Sequence, residues 1–246
     1  MNALDISHSI RTYTAADISD DKKSLQITLD KQLFLLPLVN VGNEEKPTYI
    51  AWLDTHPDHA DVPEGISHAA AVERADLILE MERKHGQDVT TIVTPDSSKS
   101  IPSIQETVDI VSHSLKKHIN FIILPGGKNE NEVAKQSAIA PVAYRNITSA
   151  NTDKFLGITG ADIEIILQHN HQGKGILEID DVYTTGGTDN AVQKILNTIL
   201  HLPDTARHPL IVLARESEYD ETYPYKVPDH VFANMNLPEF THGFHN

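Results

Sequence analysis

Residues 176–188 constrain the fold of this chain more than any other stretch. They read I-L-E-I-D-D-V-Y-T-T-G-G-T, which is an apolar, β-prone segment, then two adjacent acidic residues, then a turn rich in threonine and glycine. Apolar residues follow at helical spacing, at Val192, Ile195, Leu196 and Ile199. The stretch therefore predicts a strand that ends in two carboxylates and leads through a glycine turn into a helix.

The chemistry of this turn is typical of a site for a phosphorylated sugar. Backbone N–H groups at a glycine turn and at a helix N-terminus bind phosphate, because their hydrogen-bond donors point at the anion. The ionised carboxylates of Asp180 and Asp181 can accept hydrogen bonds from sugar hydroxyls. Helix capping explains one Thr or Asp at the start of a helix. It does not explain two carboxylates at the end of a buried strand, where charge is costly.

The stretch resembles the phosphoribosyl pyrophosphate (PRPP) loop of type I phosphoribosyltransferases. In that family an apolar strand leads into two acidic residues, two apolar residues and a T-G-G-T-like end. The departures are Glu178 and Tyr183, where aliphatic residues are usual. The resemblance implies that Asp180 and Asp181 are catalytic and hold the ribose hydroxyls, directly or through water bound to Mg²⁺. It assigns the 5-phosphate to the turn, which consists of Thr184, Thr185, Gly186, Gly187 and Thr188.

The residues between the acidic pair and the turn bear on the choice of base. By resemblance, Val182 and Tyr183 line a base pocket, and a packed core position is the alternative for Tyr183. Hypoxanthine-guanine enzymes of the family usually carry a third Asp where this chain has Thr184. The resemblance therefore favours a purine, with adenine first.

Residues 94–101 form a second loop of interest. They read T-P-D-S-S-K-S-I and resemble the loop that binds pyrophosphate in purine phosphoribosyltransferases, written roughly E-S/T-K/R-G-I. The resemblance assigns pyrophosphate binding to Ser97, Ser98 and Lys99. Ser100 stands where the family usually has glycine.

Lys128 is a further candidate for pyrophosphate. It ends P-G-G-K at residues 125–128, where the family carries a loop written roughly R-K-x-x-K, but the leading Arg-Lys pair is absent. An exposed lysine in a glycine turn is the alternative. A counterpart of the catalytic glutamate of the adenine enzymes is not recognisable in the sequence N-T-D-K-F-L-G.

The pattern of apolar residues predicts the fold class. Helical spacing is seen over residues 66–81, with a stop at Gly86, and again over residues 104–115. These helices alternate with short β-prone segments from about residue 49 to residue 213, which predicts an α/β protein with a parallel-rich twisted sheet flanked by helices. By resemblance this is a type I phosphoribosyltransferase core with a small hood. We expect a single domain over residues 1–246, with the core at about 49–213 and the hood formed by about 1–48 and 214–246.

Composition narrows the class of partner. The chain has 20 Lys and Arg against 35 Asp and Glu, a formal net charge of -15 over 246 residues. Such a surface repels nucleic acids and anionic membranes, so we expect neither as a partner. There are no cysteines, the N-terminus has no signal-peptide pattern, and the apolar run at residues 33–41 is too short to cross a bilayer. We therefore expect a cytoplasmic protein.

The resemblance implies a reaction and its partners. The expected activity is Mg²⁺-dependent transfer of the 5-phosphoribosyl group from PRPP to a purine base, with release of pyrophosphate, in purine salvage. The expected partners are PRPP, a nucleobase and a second copy of the chain in a homodimer.

Two other functions stay open. A PRPP-binding regulator on the same fold, weakly active or inactive, is favoured by the missing Arg-Lys pair, Ser100 and the absent glutamate. A metal hydrolase is suggested by His56, Asp58 and His59, which match the second half of an H-x-H-x-D-H zinc motif. The first histidine of that motif is missing, so a solvated polar loop is favoured for these residues.

Overall fold

The computed structural model describes residues 24–29, 32–41, 44–47, 62–86, 88–96, 100–145, 153–170, 174–183, 186–216 and 230–237. The strands in these ranges are β1 (Ser24–Leu29), β2 (Gln32–Val41), β3 (Glu44–Pro47), β4 (Thr91–Pro95), β5 (Asn120–Leu124), β6 (Gly126–Gly127), β7 (Val142–Arg145), β8 (Asp153–Leu156), β9 (Ile176–Ile179), β10 (Val182–Tyr183), β11 (Leu210–Glu216) and β12 (Val231–Leu237). The helices are α1 (Glu64–His85), α2 (Ile101–Leu115), α3 (Glu130–Ala134), α4 (Gly160–His169) and α5 (Gly187–Leu200).

A parallel sheet forms the centre of the protein. Its order is β5-β4-β9-β11-β12, and every neighbouring pair is parallel. The short strand β10 continues β9 along the same edge of β11, with its register unchanged. The predicted fold class, a parallel-rich sheet flanked by helices, is confirmed.

Helices cover both faces of this sheet. Successive side chains of a strand point to opposite faces, and the central strands are apolar at both sets of positions, so each face needs a covering layer. Ile92, Leu177 and Ile179 pack with α1 and α2 on one face. Val93 and Ile176 pack with α4 and α5 on the other. Both helices predicted by spacing are confirmed, and Gly86 ends α1 in the left-handed conformation at φ 61°.

Two small antiparallel sheets flank the parallel one. The sheet β1-β2-β3 packs against α1 through its first two strands. The sheet β6-β8-β7 begins directly after β5, so that β8 comes to lie beside the end of the parallel sheet. Among the helices of the described residues, none combines the length and apolar composition that a membrane span needs.

The structure adds three details to the sequence prediction. Residues 44–47, which are polar and turn-like in sequence, pair with β2 and form β3. Residues 139–168, whose sequence shows no clean period, contain two short strands and α4. The sheet extends past the predicted core, which ends at about residue 213, to β12 in the segment assigned to the hood. Residues 49–53, at the predicted start of the core, lie outside the described residues, and the hood itself stays a prediction.

Two glycines provide a matched test of this backbone. Gly175 has φ +82°, and an added Cβ would lie 2.6 Å from Thr90 Oγ1 and 2.7 Å from the Asp88 carbonyl oxygen. Gly65 lies in the first turn of α1 with nothing within 4 Å of an added Cβ. We expect Gly175→Ala to lower the free energy of unfolding by about 2 kcal/mol, and Gly65→Ala to raise it by roughly 0.5 kcal/mol. Urea unfolding measures both, and equal effects of the two changes would contradict the described turn.

Candidate phosphate and sugar site

The three loops singled out in the sequence meet at one edge of the parallel sheet. Asp96 follows β4, and its N–H donates to the carbonyl of Leu124 at 2.9 Å. A Cβ added to Gly126, just after β5, would lie 3.7 Å from Asp96 Cβ. The hydroxyl of Ser100 donates to a carboxylate oxygen of Asp181, beyond the end of β9. The carboxyl ends of parallel strands share an edge, and ligands of open α/β sheets bind there.

Asp181 is held by the protein on both of its carboxylate oxygens. Arg74 of α1 donates through Nη2 to Oδ1, and Ser100 donates through its hydroxyl to Oδ2. The Arg74 side chain is fully buried, whereas that of Asp181 is 14% exposed. Nη1 of Arg74 donates to Ser103 Oγ at 2.7 Å. Asp181 therefore faces the layer formed by α1 and α2.

Asp180 has a different environment. It is half-buried, and its Oδ1 accepts the N–H of Asp181 at 2.9 Å. Burial, followed by the negative charge of Asp181, raises the pKa of Asp180 to about 7, against a lowering by Arg74 and Lys154. Among the residues that the structure describes, the N–H of Asp181 is the only hydrogen-bond donor to the Asp180 side chain. Asp180 is thus the carboxylate of the pair that remains available to a ligand.

Lys154 is a cation near Asp180 that the sequence analysis missed. It lies on β8, and its charge is close enough to lower the pKa of Asp180. Gly126 pairs with Leu156 and Gly127 with Phe155, and the chain continues from these pairs to Lys128 after β6 and to Lys154 within β8. Lys128 is exposed and Lys154 half-buried. Each of the two lysines is thus the sequence neighbour of a residue in the last pair of β6 with β8.

The turn before α5 requires a glycine. Gly186 has φ +72°, and a Cβ there would lie 2.5 Å from the hydroxyl oxygen of Tyr183. Helix α5 then starts at Gly187 with Gly186 at its N-cap, and no side chain caps it. The first N–H groups of a helix have no partner within the helix, so this N-terminus offers donors to an anion. Gly186, Gly187 and Thr188 thus lie at the helix start, as predicted.

Five predicted site residues lie outside the described part of the chain. They are Ser97, Ser98 and Lys99 of the pyrophosphate loop and Thr184 and Thr185 of the phosphate turn. Their assigned roles stay predictions. His56, Asp58 and His59 also lie outside it, so the zinc alternative is not tested. Within the described ranges, no group of three or more His, Asp and Glu could hold a metal ion.

Tyr183 takes the packed position that the sequence left open as an alternative. It is 8% exposed and packs with Leu210, Val212 and Val231. Burial, followed by the charges of Asp189 and Glu178, raises the pKa of Tyr183 to about 12, so the hydroxyl keeps its proton. Val182 is half-buried and packs against the cluster of Ala70 and Leu213. A contact of either side chain with a base stays a prediction.

Glu178, a departure from the family pattern, belongs to a buried polar cluster under the turn. Its Oε2 accepts from Gln193 Nε2 at 3.2 Å, and the same Nε2 lies 3.1 Å from Asp189 Oδ1. Asp189 also pairs with His230 Nε2 at 3.0 Å. Burial, then the charge of Asp189, raises the pKa of Glu178 well above its usual range. The cluster joins β9, α5 and the start of β12.

Comparison with known proteins adds solved structures of similar fold. No family model and no curated protein sequence matches the chain. An APRTase from Giardia lamblia complexed with 9-deazaadenine is similar at a TM-score of 0.46 and 13% identity, covering 96% of this chain and 100% of that one. The adenine phosphoribosyltransferase of Saccharomyces cerevisiae is similar at 0.46 and 14%, covering 87% and 95%.

A hypoxanthine phosphoribosyltransferase from Staphylococcus aureus is also similar, at a TM-score of 0.41 and 9% identity, covering 69% of this chain and 73% of that one. TM-scores from 0.38 to 0.46 and identities from 9% to 16% describe a distant likeness.

The environment of Asp180 predicts a pH-dependent effect of Asp180→Asn on stability. The folded protein keeps the Asp180 proton up to about pH 7, whereas the unfolded chain loses it near its ordinary pKa of 3.8. Between pH 3.8 and about pH 7, Asp180 is ionised in the unfolded chain but not in the folded protein. The free energy of unfolding therefore falls as the pH rises between these two values. We expect Asp180→Asn to leave the free energy of unfolding unchanged at about pH 4 and to raise it at about pH 8.

Urea unfolding at both pH values measures this difference. Asp109→Asn makes the same chemical change on the exposed side of α2 and is the matched control. A stabilisation by Asp180→Asn that is the same at both pH values would contradict the described burial of Asp180.

Proposed function

We propose that this chain is a type I phosphoribosyltransferase that transfers the 5-phosphoribosyl group of PRPP to a purine, adenine first. The observation that carries the proposal is that one strand end presents a half-buried carboxylate, Asp180, and leads into the uncapped N-terminus of α5. A carboxylate accepts sugar hydroxyls, and a helix N-terminus binds phosphate.

The 5-phosphate is assigned to the turn and helix start. Gly186 lets the backbone fold tightly over Tyr183, so the N–H groups of Gly187 and Thr188 come to the beginning of α5. Thr184 and Thr185 complete this binding loop in the proposal. The ribose hydroxyls then reach back to Asp180.

The pyrophosphate group is assigned to the neighbouring corner of the sheet edge. Lys154 lies on β8, and Lys128 follows the end of β6, which pairs with β8. In the proposal an anion lies between these two cations and offsets the repulsion between them. In the proposal Lys99 is a third cation, with Ser97 and Ser98 in the same loop.

The reaction breaks the bond between ribose C1′ and a pyrophosphate oxygen, and the electron pair leaves with pyrophosphate. A base nitrogen forms the new bond to C1′, and the proton of the base passes to solvent. The protein contributes mainly by positioning the two substrates and by stabilising the charge on the ribose and the leaving group. Mg²⁺, when bound, neutralises charge on the leaving pyrophosphate, and Asp180 is the described carboxylate that can hold its water. A cytoplasmic homodimer acting in purine salvage completes the proposal.

A PRPP-binding regulator with little or no catalysis is the second candidate. The observation in its favour is that both oxygens of Asp181 are bound by Arg74 and Ser100, so one of the two expected carboxylates is already engaged. Binding then requires only Asp180, the lysines and the start of α5.

Pyrophosphate release tests the proposal directly. The protein is mixed with PRPP, Mg²⁺ and one base at a time, from adenine, hypoxanthine, guanine and xanthine. We expect turnover with adenine, and a loss of roughly 100-fold in kcat/KM for Asp180→Asn, because a charge-assisted hydrogen bond to the ribose is removed. Asp109→Asn is the control for a carboxylate-to-amide change outside the site.

The other outcomes separate the candidates. PRPP binding by calorimetry without turnover of any base would support the regulator. Neither binding nor turnover would refute the phosphoribosyl proposal as a whole.

A further inference from the structure

Arg74 is a fully buried cation on α1, next to the site but shielded from any ligand in it. A buried guanidinium is costly unless it has an anion and well-directed acceptors. Its acceptors include Ser103 Oγ and Asp181 Oδ1. The hydroxyl of Ser103 in turn donates a hydrogen bond to the carbonyl of Ser67 at 3.2 Å. The position of Arg74 is therefore set by the packing of α1 on α2.

Ser100 fixes the second oxygen of Asp181. It is 1% exposed and lies at the N-cap position of α2. A serine there normally accepts a hydrogen bond from the first turn of its own helix. Its side chain makes no such cap and donates instead to Asp181 Oδ2. A glycine at this position could not form that bond.

The two neighbouring carboxylates are thereby separated in role. Asp181 points into the α1 and α2 layer with each oxygen bound, whereas the Asp180 side chain accepts only the N–H of Asp181 among the described residues. The charge of Lys154 acts on Asp180. Oδ2 of Asp180 has no hydrogen bond among the described residues.

We propose that Arg74 and Ser100 are positioning residues that reserve Asp181 as a structural anchor, so that Asp180 is the only carboxylate of the pair that binds the ribose. The inference rests on the proposed function, since it assigns the carboxylates of that same site. It changes the expectation from the family resemblance, in which both acids meet the sugar or its metal-bound water. Only one carboxylate is then available to a metal-bound water.

The test compares Asp180→Asn with Asp181→Asn, which make the same chemical change at neighbouring positions. Calorimetry measures the binding of ribose 5-phosphate and of PRPP, each with Mg²⁺, and thermal unfolding measures the melting temperature. We expect Asp181→Asn to lower the melting temperature by roughly 10 °C, because it removes the ion pair between a fully buried guanidinium and Asp181. The folded variant should bind ribose 5-phosphate within about twofold of the unchanged protein.

Asp180→Asn should give the reverse pattern. We expect a loss of affinity for ribose 5-phosphate of about tenfold or more, with a melting temperature that does not fall. Should Asp181→Asn fail to fold, Ser100→Ala replaces it, since it frees one oxygen of Asp181 and leaves the ion pair with Arg74. That variant should melt a few degrees lower and keep its affinity.

The opposite results overturn the inference. Unchanged melting of Asp181→Asn together with a tenfold loss of ribose 5-phosphate affinity would show that Asp181 is a ligand residue and not an anchor. If the unchanged protein binds neither ribose 5-phosphate nor PRPP, the proposed function fails and the ribose role of Asp180 fails with it. The two melting temperatures then still decide whether Asp181 anchors Arg74.

Discussion

The ion pair between Arg74 and Asp181 is the constraint on which the arrangement of the site depends. It joins a helix of one layer to the end of the central strand β9, in a place where neither charge is well hydrated. Ser103 accepts from Arg74 and Ser100 donates to Asp181, so the pair is also bonded to both ends of the first turn of α2. The end of β9 is thereby bonded to α1 and to the N-cap residue of α2.

The site that results is asymmetric. Asp181 is neutralised by a buried guanidinium, whereas Asp180 is half-buried and within the electrostatic influence of Lys154. Desolvation makes the charged form of Asp180 unfavourable unless a cation or a hydrogen-bond donor arrives. In the proposed function, a ribose hydroxyl or a metal-bound water is that donor.

The fold class was predictable because it depends on alternation, which the apolar positions of β4, β5, β9 and the helices display. The turn was predictable because only glycine readily adopts the positive φ of position 186, where an added Cβ would also clash with Tyr183. The partner of Asp181 was not predictable, because Arg74 is distant in sequence. It also lies in a helix with many charged residues, and the sequence does not indicate which of them is buried. Lys154 and β12 were missed for a related reason, since their positions depend on pairing between short, mixed segments.

A crystal structure of the protein with ribose 5-phosphate and Mg²⁺ tests the assignment of the two carboxylates most directly. The account predicts the 5-phosphate on the N–H groups at the start of α5, a ribose hydroxyl or metal-bound water on Asp180, and Asp181 still bound to Arg74 and Ser100. A sugar that contacts Asp181 after it has left Arg74, or a phosphate bound away from α5, would contradict it.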